Sequence, residues 1–144
     1  VTSSEIDLRD TTLEAATVRT ALDLQPHPEG GSYRELWRDT PAHGGRGAVS
    51  SIHFLLGEGE RSHWHRVDAA EIWLWQADAP LRLQIDRNDV TLGPGPGEAL
   101  QSIVPAHAWQ AAQSLGAWTL VSCIVAPAFD FAGFELAPPD WSPP

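Results

Sequence analysis

The sequence predicts an all-β fold: a sandwich or barrel of about ten or more antiparallel strands, preceded by one N-terminal helix. Three observations carry this expectation. From Gly31 onward the chain breaks into short runs of alternating, β-branched or aromatic residues: SYRELWRD, AVSSIHFLLG, SHWHRV, EIWLWQA, LRLQI, VTL, LQSIV, AWQAAQS, AWTLVSCIVAP and FEL. Gly, Pro and Asp separate the runs, and the 12 prolines, several just past strand ends, fit turns and would break a helical bundle. Only TTLEAATVRTALDL, residues 11–24, reads as a helix, with a threonine available as N-cap and Glu14 in the first turn.

At 144 residues with 42% hydrophobic side chains, the chain is expected to form one domain, 1–144, with the helix at about 11–24 and the barrel at about 31–137. GPGPGE at 93–98 reads as a bend between strands, and VTSSE and APPDWSPP as loosely held tails, the second anchored by Trp141.

Charge and residue usage exclude several functions. A net charge of -10 repels phosphate backbones and anionic lipid heads, so neither nucleic acid nor a membrane surface is an expected partner. No run is apolar enough to span a membrane and the first twenty residues are too polar for a signal peptide, so a cytoplasmic location is expected. Cys123, the single cysteine, lies in WTLVSCIVA and reads as a small buried hydrophobe. All 9 basic residues are arginine, which removes Schiff-base chemistry and leaves histidine, the carboxylates, Tyr33 and a metal as reactive groups.

The chemistry concentrates in SHWHRVDAAEIW, residues 62–73. Strand alternation puts His63 and His65 on one face, and Glu71, Trp73 and Trp75 on one face of a second strand. Two imidazoles, a carboxylate and large aromatics converging inside a barrel would form a ligand pocket. In PHPEGG, residues 26–31, Glu29 or the following Tyr33 and Arg34 is expected at the pocket mouth, while Gly30 and Gly31 read as turn geometry.

Gly57, His63-Trp64-His65 and Glu71 resemble the first cupin motif, with five residues between His65 and Glu71, and PAHAWQ at 105–110 resembles the second. Six blocks, LDLQPHPEGGSYRE, SSIHFLL, SHWHRVDAAEIW, APLRL, VPAHAWQAA and VAPAFDFAGFELA, extend the likeness along almost the whole chain to a family of small bacterial and fungal cupins related to sugar-nucleotide epimerases and isomerases. The resemblance implies a cupin jelly-roll barrel, usually a homodimer, with one pocket per barrel. It also implies metal ligands at His63, His65 and Glu71. Gln110 stands where a histidine would complete the cage, His107 where glycine is usual, His53 where tyrosine is common, and Leu74 and Ala128 at two further departures.

Two functions follow. The first is an isomerase, epimerase or lyase acting on a small polar, sugar- or acid-like molecule. His63, His65, Glu71 and Tyr33 would supply acid and base, and Trp64, Trp73, Trp75 and Trp109 an apolar wall. His53, His107, Arg34 or Arg66 and Glu29 would contact the ligand. The cofactor expected is none, or a weakly held divalent metal (Fe, Mn, Ni or Zn) on His63, His65, Glu71 and Gln110. The alternative is a non-catalytic ligand-binding or storage-type cupin dimer using the same pocket.

Overall fold

Residues 5–144 are described by the computed structural model; of the loose N-terminal tail expected at VTSSE, residues 1–5, the first four lie outside the described residues. In chain order the elements are α1 (Ala15–Ala21), β1 (Gln25–Pro26), β2 (Ser32–Arg38), β3 (Ser50–Gly57), β4 (Arg61–Val67), β5 (Ala70–Asp78), β6 (Leu81–Ile85), β7 (Asn88–Leu92), β8 (Gln101–Val104), β9 (Gln110–Ser114), β10 (Trp118–Ala126) and β11 (Phe134–Leu136). Two antiparallel sheets face each other as a jelly-roll barrel, one ordered β1-β2-β3-β10-β5-β8 and the other β11-β4-β9-β6-β7.

Alternation builds the core. Phe54 and Leu56 of β3, Trp73 of β5, Leu81 and Leu83 of β6, and Val121 and Cys123 of β10 pack between the sheets. The intervening Leu55 and Leu120 face out of the six-stranded sheet and are covered by Val18 and Leu22 at the end of the helical segment.

The helix is shorter than the residues 11–24 expected from its spacing. Thr12 bonds Asp10 Oδ1 through both its N–H (2.9 Å) and its hydroxyl (2.7 Å), so it closes a turn ahead of the helix instead of capping it. At the other end Asp23 adopts φ 54°, a left-handed conformation that stops the helix. Arg19 of α1 pairs with Glu60 at 2.5 Å, and Trp118 Nε1 donates to Leu13 O just ahead of the helix at 2.8 Å, tying the helical segment to the barrel end.

Two local irregularities position the site. In the turn before β2, Gly30 and Gly31 have φ of 110° and 75°, and a Cβ on Gly30 would stand 2.1 Å from Arg61 O. Only glycine fits there, and the turn brings Glu29 against β4, where His63 N–H donates to Glu29 O at 2.8 Å. The second irregularity is a register shift between Ser62 and His65 in the pairing of β4 with β9.

Candidate active site

At one end of the barrel a cavity of about 60 Å³ lies between the sheets, room for a handful of water molecules. Its polar floor is made by Glu29 from the turn before β2, His65 from β4 and Glu71 from β5, with Cys123 of β10 beside them. Tyr33 lines the cavity beside His27, whose ring also meets Phe131 and Phe134 at 6.3 and 6.2 Å, and Phe129, Phe131 and Phe134, from the chain after β10, form its aromatic rim.

Glu29 and His65 are an ion pair. His65 Nδ1–H donates to the carbonyl of His63 at 2.7 Å, so Nδ1 must carry a proton, and Nε2 stands 2.6 Å from Glu29 Oε2. Burial alone would discharge both groups. The mutual attraction and hydrogen bond outweigh it, lowering the pKa of Glu29 and raising that of His65. His27 has the opposite state: its Nδ1 accepts the Glu29 N–H at 3.1 Å, and burial lowers its pKa, so the ring is neutral.

Glu71 is only 7% exposed, and burial raises its pKa to about 7 against the pull of His65. Its bonded partners are neutral. Gln110 donates from Nε2 to Glu71 Oε1 at 3.0 Å, and the Cys123 thiol shares a further hydrogen bond with it. The amide is itself oriented, because Trp73 Nε1 donates to Gln110 Oε1 at 2.8 Å. Cys123 is buried, and its thiol pKa is pushed well up by burial and by the nearby carboxylates, so it stays a thiol.

The cavity thus holds four of the residues expected from the sequence: Glu29, Tyr33, His65 and Glu71. The others lie elsewhere. His63 departs from the face of His65 at the β4 irregularity, and its Nε2 engages Pro138 O at 2.8 Å. Trp64 and Trp109, expected as pocket wall, lie on the outer side of the five-stranded sheet beneath the C-terminal tail, where Trp109 packs against Trp141 with ring centroids 4.4 Å apart and carries Arg66 over its face at 4.6 Å. Trp73 does face inward but is fully buried in the packed core, and Trp75 packs at the edge of that core with Nε1 donating to Ala79 O at 3.0 Å. His53 and Arg34 are cross-strand neighbours on the outer face of the six-stranded sheet, where burial and the adjacent guanidinium lower the His53 pKa. His107 is exposed at φ 70°, its N–H donating to Val67 O, with Asp68 nearby.

Of the four side chains expected as a metal cage, His65, Glu71 and Gln110 are neighbours, but His63 turns away and the other donors are spent on one another. His63 Nε2 is engaged with Pro138, both His65 nitrogens are bonded, and the Gln110 amide is held by Trp73 and Glu71. Among the described residues no set of three His, Cys, Asp or Glu side chains is arranged to hold a metal ion. This donor set does not fit a tightly held divalent ion.

His27, Glu35, Arg38 and the three phenylalanines line the cavity without having been singled out in the sequence. At the mouth, Arg38 pairs with Glu35 at 2.8 Å and donates from Nη1 to Phe129 O at 2.6 Å; Arg46 holds Ala128 O at 2.7 Å and Asp68 at 2.8 Å. The two arginines thereby pin the aromatic rim. The signal for the three phenylalanines was the VAPAFDFAGFELA block, in which they recur every two or three positions.

Comparison with known proteins agrees with this architecture. The family model described as Cupin superfamily (DUF985) matches residues 16–137. A hypothetical protein from Leishmania major is 32% identical over 87% of this chain and 88% of its own, with a TM-score of 0.79. A protein from Shewanella oneidensis is 34% identical over 88% and 85%, with a TM-score of 0.82. KdgF from a Halomonas species shares the fold at 15% identity, TM-score 0.58, over 74% of this chain and 88% of its own. No curated protein matches the chain. With the family match spanning α1 to the last strand, the chain belongs to the cupin superfamily, in the family designated DUF985.

Proposed function

We propose that the cavity is an acid–base site of the isomerase, epimerase or lyase type, acting on a small polar molecule. One observation carries the reading: two buried carboxyls of one cavity have pKa values driven apart, Glu29 down by its imidazolium partner and Glu71 up to about 7 by burial. A carboxyl balanced between its two forms near neutrality can take a proton from a carbon acid and return it, which is the step that isomerisation, epimerisation and elimination share. Glu29 and His65 act as a fixed dipole opposite it, and the Tyr33 hydroxyl is the neutral donor available to a developing oxyanion. Because both His65 nitrogens are already bonded, Glu71 rather than His65 is the proton carrier.

Proton exchange tests this. Wild-type protein, incubated in deuterated water with a panel of small hydroxy-carbonyl and amino-alcohol compounds, is expected to wash deuterium into a ligand, and Glu71→Gln is expected not to. Saturable binding without exchange in any ligand would favour the alternative of a non-catalytic ligand-binding or storage-type cupin.

A divalent ion, if used, is proposed to be held weakly, because the donors are already spent on one another. We further propose that the protein works as a homodimer in the cytoplasm, where the free Cys123 stays reduced. Among the described residues no helix is long and apolar enough to cross a membrane. The observation behind the dimer is the apolar row Trp37, Ile124, Ile72, Ile103 across the outer face of the six-stranded sheet, with Trp37 56% and Ile103 61% exposed.

A further inference from the structure

The charge inventory of the cavity points to its ligand. Among the described residues that line it there are two cations, His65 and Arg38, and each is already matched by a carboxylate, Glu29 at 2.6 Å and Glu35 at 2.8 Å. His27 is neutral, with its Nδ1 occupied as an acceptor. An incoming anion would find no unspent positive charge and would face three carboxyl groups. Glu71, in contrast, is a carboxyl whose bonded partners, Gln110 and Cys123, are neutral, so it lacks a bonded counter-ion.

The apolar lining has matching chemistry. Phe129, Phe131 and Phe134 stand at interplanar angles of 86°, 64° and 80° to one another, with centroids 4.8 to 5.9 Å apart, so their rings form the walls of a corner. Tyr33 lines the same cavity, edge-on to His27 at 4.5 Å. Phe134 lies 5.6 Å from His65, whose charge Glu29 already balances, and shares the lining of the cavity with Glu71. Ring faces attract a weakly hydrated organic cation, and a carboxylate supplies the balancing charge. The net charge of -10 raises the local concentration of cations around the mouth.

We propose that the cavity takes a small organic cation, an alkylated ammonium of about five heavy atoms in its head group, seated in the corner of Phe129, Phe131 and Phe134 with Glu71 as its counter-charge. The proposal rests on the reading of this cavity as the ligand site and narrows its substrate class. Sugar-like and acid-like compounds without a cationic group are poor fits, the acids because nothing in the cavity neutralises them.

Three probes of nearly one shape and different charge test it: tetramethylammonium, tert-butyl alcohol and pivalate, titrated by calorimetry into the full-length protein at low salt. Tetramethylammonium is expected to bind about five- to thirtyfold more tightly than tert-butyl alcohol, with pivalate the weakest. Glu71→Gln is expected to lower the cation's affinity towards that of the alcohol while leaving the alcohol unchanged. Phe131→Leu, at an exposed rim position that does not threaten the fold, is expected to reduce the same preference. Equal affinity for cation and alcohol, a preference for pivalate, no binding of the cation at about 50 mM, or a preference that both variants leave intact would each overturn the proposal. A cation preference with Glu71 titrating in the ordinary carboxylate range would sink the acid–base reading alone; Glu71 titrating near neutrality with no cation preference would sink only this one.

Discussion

His65 Nε2 and Glu29 Oε2 meet at 2.6 Å with both side chains more than nine-tenths buried, one from β4 and the other from the glycine turn before β2. Neither charge is tolerable alone at that depth. His65→Ala is expected to cost about 3–5 kcal/mol because it strands a buried carboxylate, and Glu29→Gln to cost less, since a neutral amide can still accept from the imidazole. The double variant should be markedly more stable than the sum of the two losses predicts. Urea denaturation of the four proteins checks this, and strictly additive losses would mean that the pair is not coupled.

Glu71 makes stability depend on pH in a defined direction. Its folded pKa, about 7, lies above the ordinary 4.5, so the fold favours the protonated form. The associated stability is fully present below 4.5 and is lost as pH rises through about 7, a total of about 3 kcal/mol. Glu71→Gln has no such proton to lose. The difference in unfolding free energy between wild type and Glu71→Gln should therefore fall by about that amount between pH 4 and pH 8, whatever else titrates in both. Parallel stability profiles would show that Glu71 is not held protonated.

Trp73, Gln110 and Glu71 form a relay whose first member sets the last. With Trp73 Nε1 donating to Gln110 Oε1, the amide must turn its NH₂ towards Glu71, where it favours the carboxylate form. Trp73→Phe removes the donor and frees the amide to present its oxygen to a protonated Glu71. The Glu71 pKa is then expected to rise further, read by carbon NMR of labelled glutamate side chains. A downward move would contradict this orientation of the amide. Trp73→Leu is a poorer probe, since Trp73 is fully buried in the core and the cavity left behind would cost about 3 kcal/mol or more.

The fold was legible because strand alternation and turn residues are local signals. Phe54, Leu55 and Leu56 alternate between the barrel core and the helix-covered face as the pattern of SSIHFLL requires. The pairing of Glu71 with Trp73 on one inward face followed for the same reason. His63 did not follow, because alternation assumes an unbroken ladder and the register shifts between Ser62 and His65. Trp64 and Trp109 misled in another way: tryptophans suit a ligand wall and a tail-packing surface equally, and only the path of Ala137 to Trp141 distinguishes the two. The pairing of Glu29 with His65 joins residues 36 positions apart through a turn that two glycines make possible, and no sequence pattern announces it.

Chelation is expected to leave folding almost untouched. The core of Phe54, Trp73, Leu81, Leu83 and Val121 closes without any metal-bridged side chain. Thermal midpoints with and without excess chelator should agree within about 2 °C, and metal content after purification without added metal should be well below one ion per chain. Stoichiometric, tightly held metal together with unfolding on chelation would require His63 and His65 to leave Pro138 and Glu29 and converge.

The outer face of the six-stranded sheet carries the expectation of a dimer. One row runs Trp37, Ser51, Ile124, Ile72, Ile103 across β2, β3, β10, β5 and β8, and the next runs Arg34, His53, Ser122, Leu74, Gln101. The third row, with Leu55 and Leu120, is covered by the helical segment, whereas the first row leaves Trp37 and Ile103 more than half exposed at its two ends. Apolar side chains on an open sheet face favour association by removing that area from water, and a buried charge there opposes it strongly. Ile72→Lys places an ammonium at the centre of the first row while its backbone pairing is kept. Wild type is expected to elute with twice the chain mass in multi-angle light scattering, and Ile72→Lys as a monomer with an unchanged far-ultraviolet spectrum. A wild-type monomer at high concentration, or an Ile72→Lys protein that remains dimeric, would place any self-association elsewhere.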